Sequence, residues 1–149
     1  MVAHLRATLG ERATISLLHD TIVLDVERDH LVDAARLVRD DPLTACDLYS
    51  VNAGVDLGDG ELRSVTFVRG TGTHVFVMLR TPCTELDPHV PTLSGIWTGA
   101  DWTERETYDM FGIVFDGHPD LRRVFLEESF PGHPLRKSFM PPRSDARGG

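Results

Sequence analysis

Hydrophobic residues change their spacing twice in the first half of the chain, and this pattern predicts a fold that mixes strands with helices. Two runs rich in β-branched and aliphatic residues, Ala13–His19 and Thr21–Val26, predict a β-hairpin. From Glu27 to Arg39 the apolar residues recur at helical spacing, which predicts an amphipathic helix. Asp29 is expected to cap its start, and Pro42 is expected to help end it.

A return to strand-like sequence follows this helix. The segments Thr44–Val51, Leu62–Arg69 and Thr73–Arg80 predict three antiparallel strands in a meander, with a turn over Gly54–Gly60. From Pro82 onward, closely spaced prolines predict a loop. The helix is expected to cover one face of the sheet.

Two further helices and a tail complete the predicted organisation. Ala3–Leu9 predicts a short helix, and Asp101–Gly112 predicts a longer one with acidic residues in its first turns. Five prolines interrupt the rest, which predicts an irregular tail with disorder over residues 144–149. The predicted fold class is therefore α+β, with an antiparallel or mixed sheet and helices on one face. We expect one structural unit made of an α+β domain, residues 1–112, and an extended partner-docking tail, residues 113–149.

Composition limits the classes of function. The chain has 149 residues, enough for one hydrophobic core, and its net charge of −8 argues against nucleic acid or an anionic membrane as the main partner. We expect neither a signal peptide nor a membrane-spanning helix. Two cysteines make no disulfide framework, so a reducing cytoplasm is expected. Cys46 is predicted to lie in the core, and Cys83 to lie in an exposed loop.

The charge is unevenly distributed along the chain. Residues 1–116 carry a net charge of −10, whereas residues 117–149 carry +2. Two similar motifs lie in this basic tail, Gly117-His-Pro-Asp-Leu-Arg-Arg123 and Gly132-His-Pro-Leu-Arg-Lys137. Each combines a flexible Gly, a stiff Pro, an apolar residue and cations that pair well with carboxylates. Such a tail either docks on an acidic neighbour or straps itself over its own acidic domain.

Motifs for built-in chemistry are missing from the sequence. No dinucleotide or phosphate-binding glycine motif occurs, and two cysteines cannot hold an iron–sulfur cluster alone. His118 and His133 could approach one another as part of a zinc site, but a clear third ligand is lacking. Glu104 and Glu106 could serve acid–base chemistry, although a salt-bridged helix face is the simpler interpretation. A small hydrolase that uses these four residues remains one alternative.

The stretch from Trp102 to Arg123, followed by Gly132–Lys137, closely resembles the signature of the C subunit of respiratory complex I and of the plastid J subunit. Thr44–Tyr49 and Val90–Trp97 also resemble family segments, so the resemblance extends over most of the chain. Ser138-Phe139 departs from the family pattern, as does Thr103.

The resemblance implies a positional role rather than a catalytic one. Members are accessory subunits of the hydrophilic arm and hold no flavin, nucleotide or iron–sulfur cluster. We therefore expect no catalytic, cofactor-binding or metal-binding residues in this chain. The helix would present a charged face, and the tail would dock on the quinone-site D subunit beside the cluster-bearing subunits. The residues expected at the partner interface are Glu104, Arg105, Glu106, Tyr108, Asp109, Gly117, His118, Pro119, Leu121, Arg122, Arg123, Gly132, His133, Pro134, Leu135, Arg136 and Lys137.

The resemblance also implies a setting for the chain. We expect a membrane-bound NADH:quinone oxidoreductase that couples electron transfer to proton translocation, with NADH, FMN, iron–sulfur clusters and quinone in partner subunits. The chain would lie peripherally on the cytoplasmic side of the cell membrane, without insertion into it. The equivalent subunit of a membrane-bound hydrogenase or formate-oxidising complex is the alternative within the same family.

Overall fold

The computed structural model describes residues 1–143 and contains three α-helices and seven strands. The predicted disorder of residues 144–149 lies outside the described residues. A short 3₁₀ turn, Gly10–Arg12, follows the first helix. The elements in chain order are α1 (Val2–Leu9), β1 (Thr14–Leu18), β2 (Thr21–Asp25), α2 (Arg28–Asp40), β3 (Leu48–Gly58), β4 (Glu61–Arg69), β5 (Phe76–Thr84), β6 (His89–Pro91), α3 (Ala100–Phe111) and β7 (Val114–Asp116).

The predicted hairpin and the amphipathic helix after it are confirmed. Strands β1 and β2 pair antiparallel, and α2 buries the apolar residues that recur at helical spacing, among them Leu31 and Val38. The prediction that Asp29 caps α2 is wrong, because Glu27 occupies the N-cap position and no side chain bonds the first turn. Asp29 instead lies inside the first turn, where a carboxylate still interacts favourably with the helix dipole.

The main sheet has the strand order β1-β2-β5-β4-β3 and is mixed. The meander β3-β4-β5 is antiparallel as predicted, whereas β2 pairs parallel with β5. A parallel pair requires a long crossover connection, and here α2, β3 and β4 all lie within it. The predicted α+β class with a mixed sheet is confirmed.

Strand β3 begins and ends later than predicted. It starts at Leu48 and continues through Gly54 to Gly58, so the turn predicted over Gly54–Gly60 is confined to the last residues of that segment. Gly54 pairs with Ser64 within the sheet, and the Phe111 ring packs directly against it. A Cβ atom at Gly54 would lie 2.3 Å from Cδ2 of that ring. This glycine therefore marks a close approach of α3 to the sheet rather than a turn.

Strand β5 extends past Pro82 to Thr84, so the loop predicted from Pro82 begins later. Pairing with β2 ends at Arg80, and beyond it β5 pairs only with β4 among the described residues. A proline is tolerated at such an edge position, where a missing N–H breaks no ladder bond. Consequently Cys83 lies in a strand and is buried, which corrects its predicted exposure, while the prediction of a buried Cys46 is confirmed.

All three helices lie on one face of the main sheet. Side chains from α1, α2 and α3 form a single core with the sheet residues that point to this side, such as Leu24, Val68 and Leu79. None of the helices within residues 1–143 combines the length and the apolar character needed to cross a membrane.

A second, two-stranded parallel sheet joins the end of α3 to the body. Strands β6 and β7 pair here, and Ile113 and Phe115 bring the chain after α3 into the core. Strand β6 was not predicted from the sequence, because Pro88 directly precedes it and Pro91 ends it. Residues 117–143 contain neither helix nor strand, as expected for the tail, but β7 shows that the prediction of an irregular tail from residue 113 onward is wrong at its start.

Candidate functional site

Asp109 on α3 fastens the tail to the body. Its side chain is completely buried, and Oδ2 accepts hydrogen bonds from the backbone N–H groups of Val124, Phe125 and Leu126 at 3.2, 2.8 and 3.0 Å. Arg123 donates from Nη1 to Oδ1 at 3.0 Å. Burial alone would raise the pKa of Asp109, but these donors outweigh it and hold the pKa below its usual value. Asp109 is therefore a buried carboxylate that anchors the first turns of the tail.

Helix α3 also points a polar side chain toward the main sheet, where the facing positions of β3 and β4 are polar. Thr107 is buried and donates to Asn52 Oδ1 at 2.6 Å. The Asn52 amide in turn donates to Ser64 at 2.8 Å and to Thr66 at 2.9 Å. A satisfied network of this kind fixes the rotation of a helix on a sheet.

The second Gly-His-Pro motif closes the C-terminal end of α3. His133 Nδ1 lies 3.0 Å from the carbonyl oxygen of Asp109, and the Leu135 N–H donates to the carbonyl of Met110 at 3.0 Å. Arg136 donates to the carbonyl oxygens of Phe111 and Gly112. Four carbonyls that a helix end leaves without partners are thus satisfied by one short segment of the tail.

Gly112 makes this closure possible. Its φ of 70° is left-handed, and a Cβ atom there would lie 2.4 Å from the His133 ring. Burial is the main reason that the pKa of His133 falls below its ordinary value, and the neighbouring arginines lower it further. His133 is accordingly a half-buried residue that bonds a backbone carbonyl.

The first Gly-His-Pro motif contacts the opposite end of α3. The His118 side chain is fully buried, and Nε2 lies 3.0 Å from the carbonyl oxygen of Asp101. Because Nδ1 accepts from the Asp120 N–H at 3.0 Å, we assign the proton to Nε2. The two motifs therefore hold the beginning and the end of the same helix.

This placement corrects the metal hypothesis. His118 bonds Asp101 and His133 bonds Asp109, two helix positions that lie about 12 Å apart along the axis. The two histidines therefore do not approach one another. Within residues 1–143, no three His, Cys, Asp or Glu side chains form a group that could hold a metal ion.

Glu104 is also buried and binds the segment that precedes α3. Its carboxylate accepts from the Thr92 hydroxyl at 2.5 Å and from the Leu93 N–H at 2.7 Å. Burial raises the pKa of Glu104 to about 7. Glu106 points elsewhere, toward Trp102, so the carboxylate pair considered for acid–base chemistry does not form.

The predicted charged face of α3 is thus wrong for Glu104 and Asp109, because both carboxylates are buried and bonded within the chain. The missed signal was the spacing Ala100, Glu104, Thr107, which marks the inward side of α3 despite its polar members.

The exposed side of α3 joins the tail in one continuous surface, which we call the α3–tail surface and define as Trp102, Arg105, Glu106 and Arg122. Trp102 is 50% exposed and donates from Nε1 to Glu106 at 2.6 Å. The Arg105 guanidinium lies 5.2 Å from the centre of the Trp102 ring and bonds the carbonyl of Arg122 at 3.3 Å. Arg122 pairs only with exposed Asp120 among the described residues.

The tail arginines divide between the two roles that the sequence left open. Arg123 and Arg136 are bound within the chain, as the strap alternative predicts, whereas the Arg122 side chain, among the described residues, pairs only with exposed Asp120 of the tail. Leu121 packs against the core. Among the other predicted interface residues, Gly117, Pro119, Gly132, Leu135 and Lys137 are exposed, and Tyr108 and Pro134 are half-buried. Their role at a partner interface stays a prediction.

Comparison with known sequences gives one family. The family model described as the 30 kDa subunit of respiratory-chain NADH dehydrogenase matches residues 24–145. The NADH-quinone oxidoreductase C subunit of Nocardia farcinica is 40% identical, over 84% of this chain and 51% of that protein. The C subunit of the same enzyme from Chloroherpeton thalassium is 42% identical, over 70% of this chain and 44% of that protein. The chain thus spans about half the length of these curated relatives.

Two solved structures share the fold. A chain of the membrane-bound sulfane sulfur reductase, an archaeal respiratory membrane complex, matches with a TM-score of 0.79 and 20% identity, over 93% of this chain and 83% of that one. The trypsin-resistant fragment (1–134) of Nqo5 matches with a TM-score of 0.66 and 24% identity, over 80% of this chain and 95% of the fragment.

Proposed function

The chain belongs to the family of the 30 kDa subunit of respiratory-chain NADH dehydrogenase, and from this we propose that it is a non-catalytic subunit of a membrane-bound NADH:quinone oxidoreductase. It docks on the quinone-site subunit of the hydrophilic arm, on the cytoplasmic side of the membrane. NADH, FMN, the iron–sulfur clusters and quinone belong to its partners. Its contribution to proton-coupled electron transfer is to hold those partners in a fixed geometry.

The observation that carries this proposal is the α3–tail surface. Trp and Arg are the residue types most often found at the energetic centre of protein interfaces, and here Trp102, Arg105 and Arg122 are brought together on one exposed surface. The rigid attachments beneath them, at Asp109 and at both ends of α3, pre-organise the surface. Pre-organisation lowers the entropy that is lost when a partner binds.

The ionisable residues of the two motifs support a positioning role. His118 and His133 each bond a backbone carbonyl of α3, and the Asp109 carboxylate of α3 binds the tail in turn, so these contacts fix the path of the tail. Internal contacts of this kind hold the tail against α3.

Purification of the tagged full chain from membranes of its source organism tests the proposal. We expect it to be recovered with flavin-, cluster- and quinone-binding subunits, identified by mass spectrometry, in a native assembly that oxidises NADH with a quinone. Recovery of the chain alone would contradict the proposal. Recovery with a nickel-binding large subunit would replace it by the hydrogenase alternative.

Single substitutions test the assigned surface. Trp102→Ala and Arg122→Ala are each expected to weaken assembly by at least about 1–2 kcal/mol, because both remove an exposed interface side chain. The control is Arg36→Ala, since Arg36 is an exposed arginine on α2. The assembled fraction is measured on native gels, and thermal unfolding of each variant must match that of the unsubstituted chain. Equal assembly of all three variants would place the interface elsewhere.

A further inference from the structure

The face of the main sheet that points away from the three helices carries a row of apolar side chains. We call it the outer face. The strand register places Val23, Met78, Phe67 and Val51 side by side across β2, β5, β4 and β3. Val23 and Val65 of this face are buried but lie outside the hydrophobic core, which occupies the other side of the sheet. The sheet therefore has a second apolar face.

Part of this face, along β3 and at the start of β5, is exposed to solvent. Val51 is 38% exposed, and Phe76 and Leu48 beside the row are 43% and 45% exposed. Val51, Phe67 and Phe76 line a shallow groove of about 310 Å³. A contiguous apolar area that crosses several strands is unusual on a monomer and marks a site of association.

The described part of this chain leaves the outer face uncovered. The helices contribute their apolar side chains to the core on the opposite face. The tail bonds α3, Asp56 and Glu85, and the register places Asp56 on the helix side of β3. Among residues 1–143, no segment therefore supplies an occupant for the outer face.

Charge identifies the chemistry of that occupant. Arg69 lies on one side of the apolar row, and Arg80 and Arg63 lie on the other. Arg80 is neutralised by two hydrogen bonds to Asp25, at 2.7 and 2.6 Å. Among residues 1–143, Arg63 and Arg69 form no ion pair with a carboxylate. The outer face also carries Glu61 beside Arg63, so among residues 1–143 its charges outside ion pairs are two arginines and one carboxylate, which leaves it net positive in a chain with a net charge of −8.

A second copy of the chain fits this face poorly. Two copies related by a two-fold axis would place the same outer faces together, and the unmatched arginines of one copy would meet those of the other. A partner that carries Asp or Glu beside apolar residues matches both properties of the face.

We propose that the outer face binds an α-helix of another subunit of the same assembly, with an apolar stripe flanked by Asp or Glu side chains; this rests on the proposed function. The apolar row spans three strand spacings, about 14 Å, which accommodates one helix of about 10 Å diameter. The same sheet already buries its other face under helices, so the occupant completes a helix–sheet–helix arrangement.

Zero-length cross-linking in the purified assembly tests this inference. A carbodiimide joins an amine to a carboxylate that contacts it, and the chain contains only one lysine, Lys137. Arg63→Lys and Arg69→Lys each introduce an amine on the outer face, and Arg36→Lys introduces one on α2 as the matched control. We expect both outer-face variants, and not the control, to cross-link to Asp or Glu residues of one helix in a partner subunit.

Charge reversal provides the second measurement. Arg63→Glu combined with Arg69→Glu is expected to lower the recovery of that subunit at least about tenfold, whereas Arg36→Glu changes it less than about twofold. Thermal unfolding of the free chain must stay the same, which separates lost docking from lost folding.

The outcomes separate this inference from the proposed function. If partner subunits are recovered but neither outer-face amine cross-links to them, the inference is overturned and the proposed function stands. Cross-links that join two copies of this chain overturn it in favour of a dimer. Recovery of the chain without partners overturns both proposals.

Discussion

Asp109 and Arg123 form a buried pair although 14 residues separate them in the sequence. Both residues were identified from the sequence as functional, and Arg123 was expected to meet a carboxylate either of a neighbour or of the chain's own acidic domain. Neither periodicity nor composition reveals which carboxylate an arginine meets, because that depends on how the tail returns to α3. The structure assigns this arginine to the chain's own stability.

The neighbouring arginines allow a matched test of this assignment. Arg123→Ala is expected to lower the free energy of unfolding by about 3 kcal/mol, because it leaves the buried Asp109 carboxylate without its counter-ion. Arg122→Ala removes an exposed arginine and is expected to change the free energy by less than about 0.5 kcal/mol. Urea unfolding of the two variants provides the comparison, and equal effects would contradict the buried pairing.

Glu104 predicts a specific dependence of stability on pH. Its pKa is raised to about 7 in the folded chain, above the ordinary value of 4.5. Between these two values the folded chain keeps a proton that the unfolded chain releases, so Glu104 makes stability fall as pH rises through this window and has a constant effect above it.

Glu104→Gln removes this titration and keeps an oxygen that can accept from the Leu93 N–H. Relative to the unsubstituted chain, the variant is expected to gain on the order of 2–3 kcal/mol between about pH 5 and about pH 8. The measurement is the difference between their urea midpoints at the two pH values. A difference that stays constant with pH would show that Glu104 is not the titrating group.

At the scale of elements, the sequence predicted those whose burial follows a regular period. Helix α2 follows such a period and was located correctly, whereas the hairpin β1–β2 was located from its runs of β-branched and aliphatic residues. The ends of strands β3 and β5 were predicted wrongly at Gly54 and Pro82. Both residue types are typical of turns, but each occurs here within a strand for a different reason. At Gly54 the strand contacts a distant aromatic ring, and at Pro82 it has lost a neighbouring strand.

Close packing at Gly54 gives a prediction for the element that crosses it. Gly54→Ala is expected to destabilise the chain by about 3 kcal/mol, because the added methyl group overlaps the Phe111 ring and displaces α3 from the sheet. Gly72→Ala is the control, since nothing lies within 4 Å of the position that its Cβ atom would occupy. Hydrogen exchange of α3 amides should accelerate only in the first variant, and unchanged exchange would contradict the contact.

The tail was the least predictable element because its attachments are polar and involve backbone atoms. The two Gly-His-Pro motifs were recognised as unusual, but their targets at opposite ends of α3 carry no local sequence signal. Carbonyl groups at the end of a helix are present in every sequence, so their partners become evident only from the fold.

At the scale of the whole molecule, one sheet separates two surfaces with different roles. The helices and the tail lie on one side, where charged groups are used for internal attachment, and the outer face lies on the other. The division into an α+β domain and a docking tail at residue 112 stays a prediction. Ile113 and Phe115 contribute to the core, so the chain is continuous across that boundary.

Proteolysis of the whole chain tests how firmly the tail is held. Asp109→Ala removes the acceptor of four donors and is expected to release the tail, which makes cleavage by trypsin after Arg123 and Arg136 at least about tenfold faster. Asp120→Ala, which removes an exposed carboxylate, serves as the control and should leave the cleavage rate unchanged. Equal rates for both variants would contradict the anchoring role of Asp109.

The bonds that Asp109 receives from residues 124–126 come entirely from their main-chain N–H groups. Any amino acid other than proline supplies the same donor, so the attachment of the tail to Asp109 does not depend on the side chains of Val124, Phe125 and Leu126. Evolution is free to vary these three side chains to suit a changing neighbour, while the path of the polypeptide beneath them is preserved.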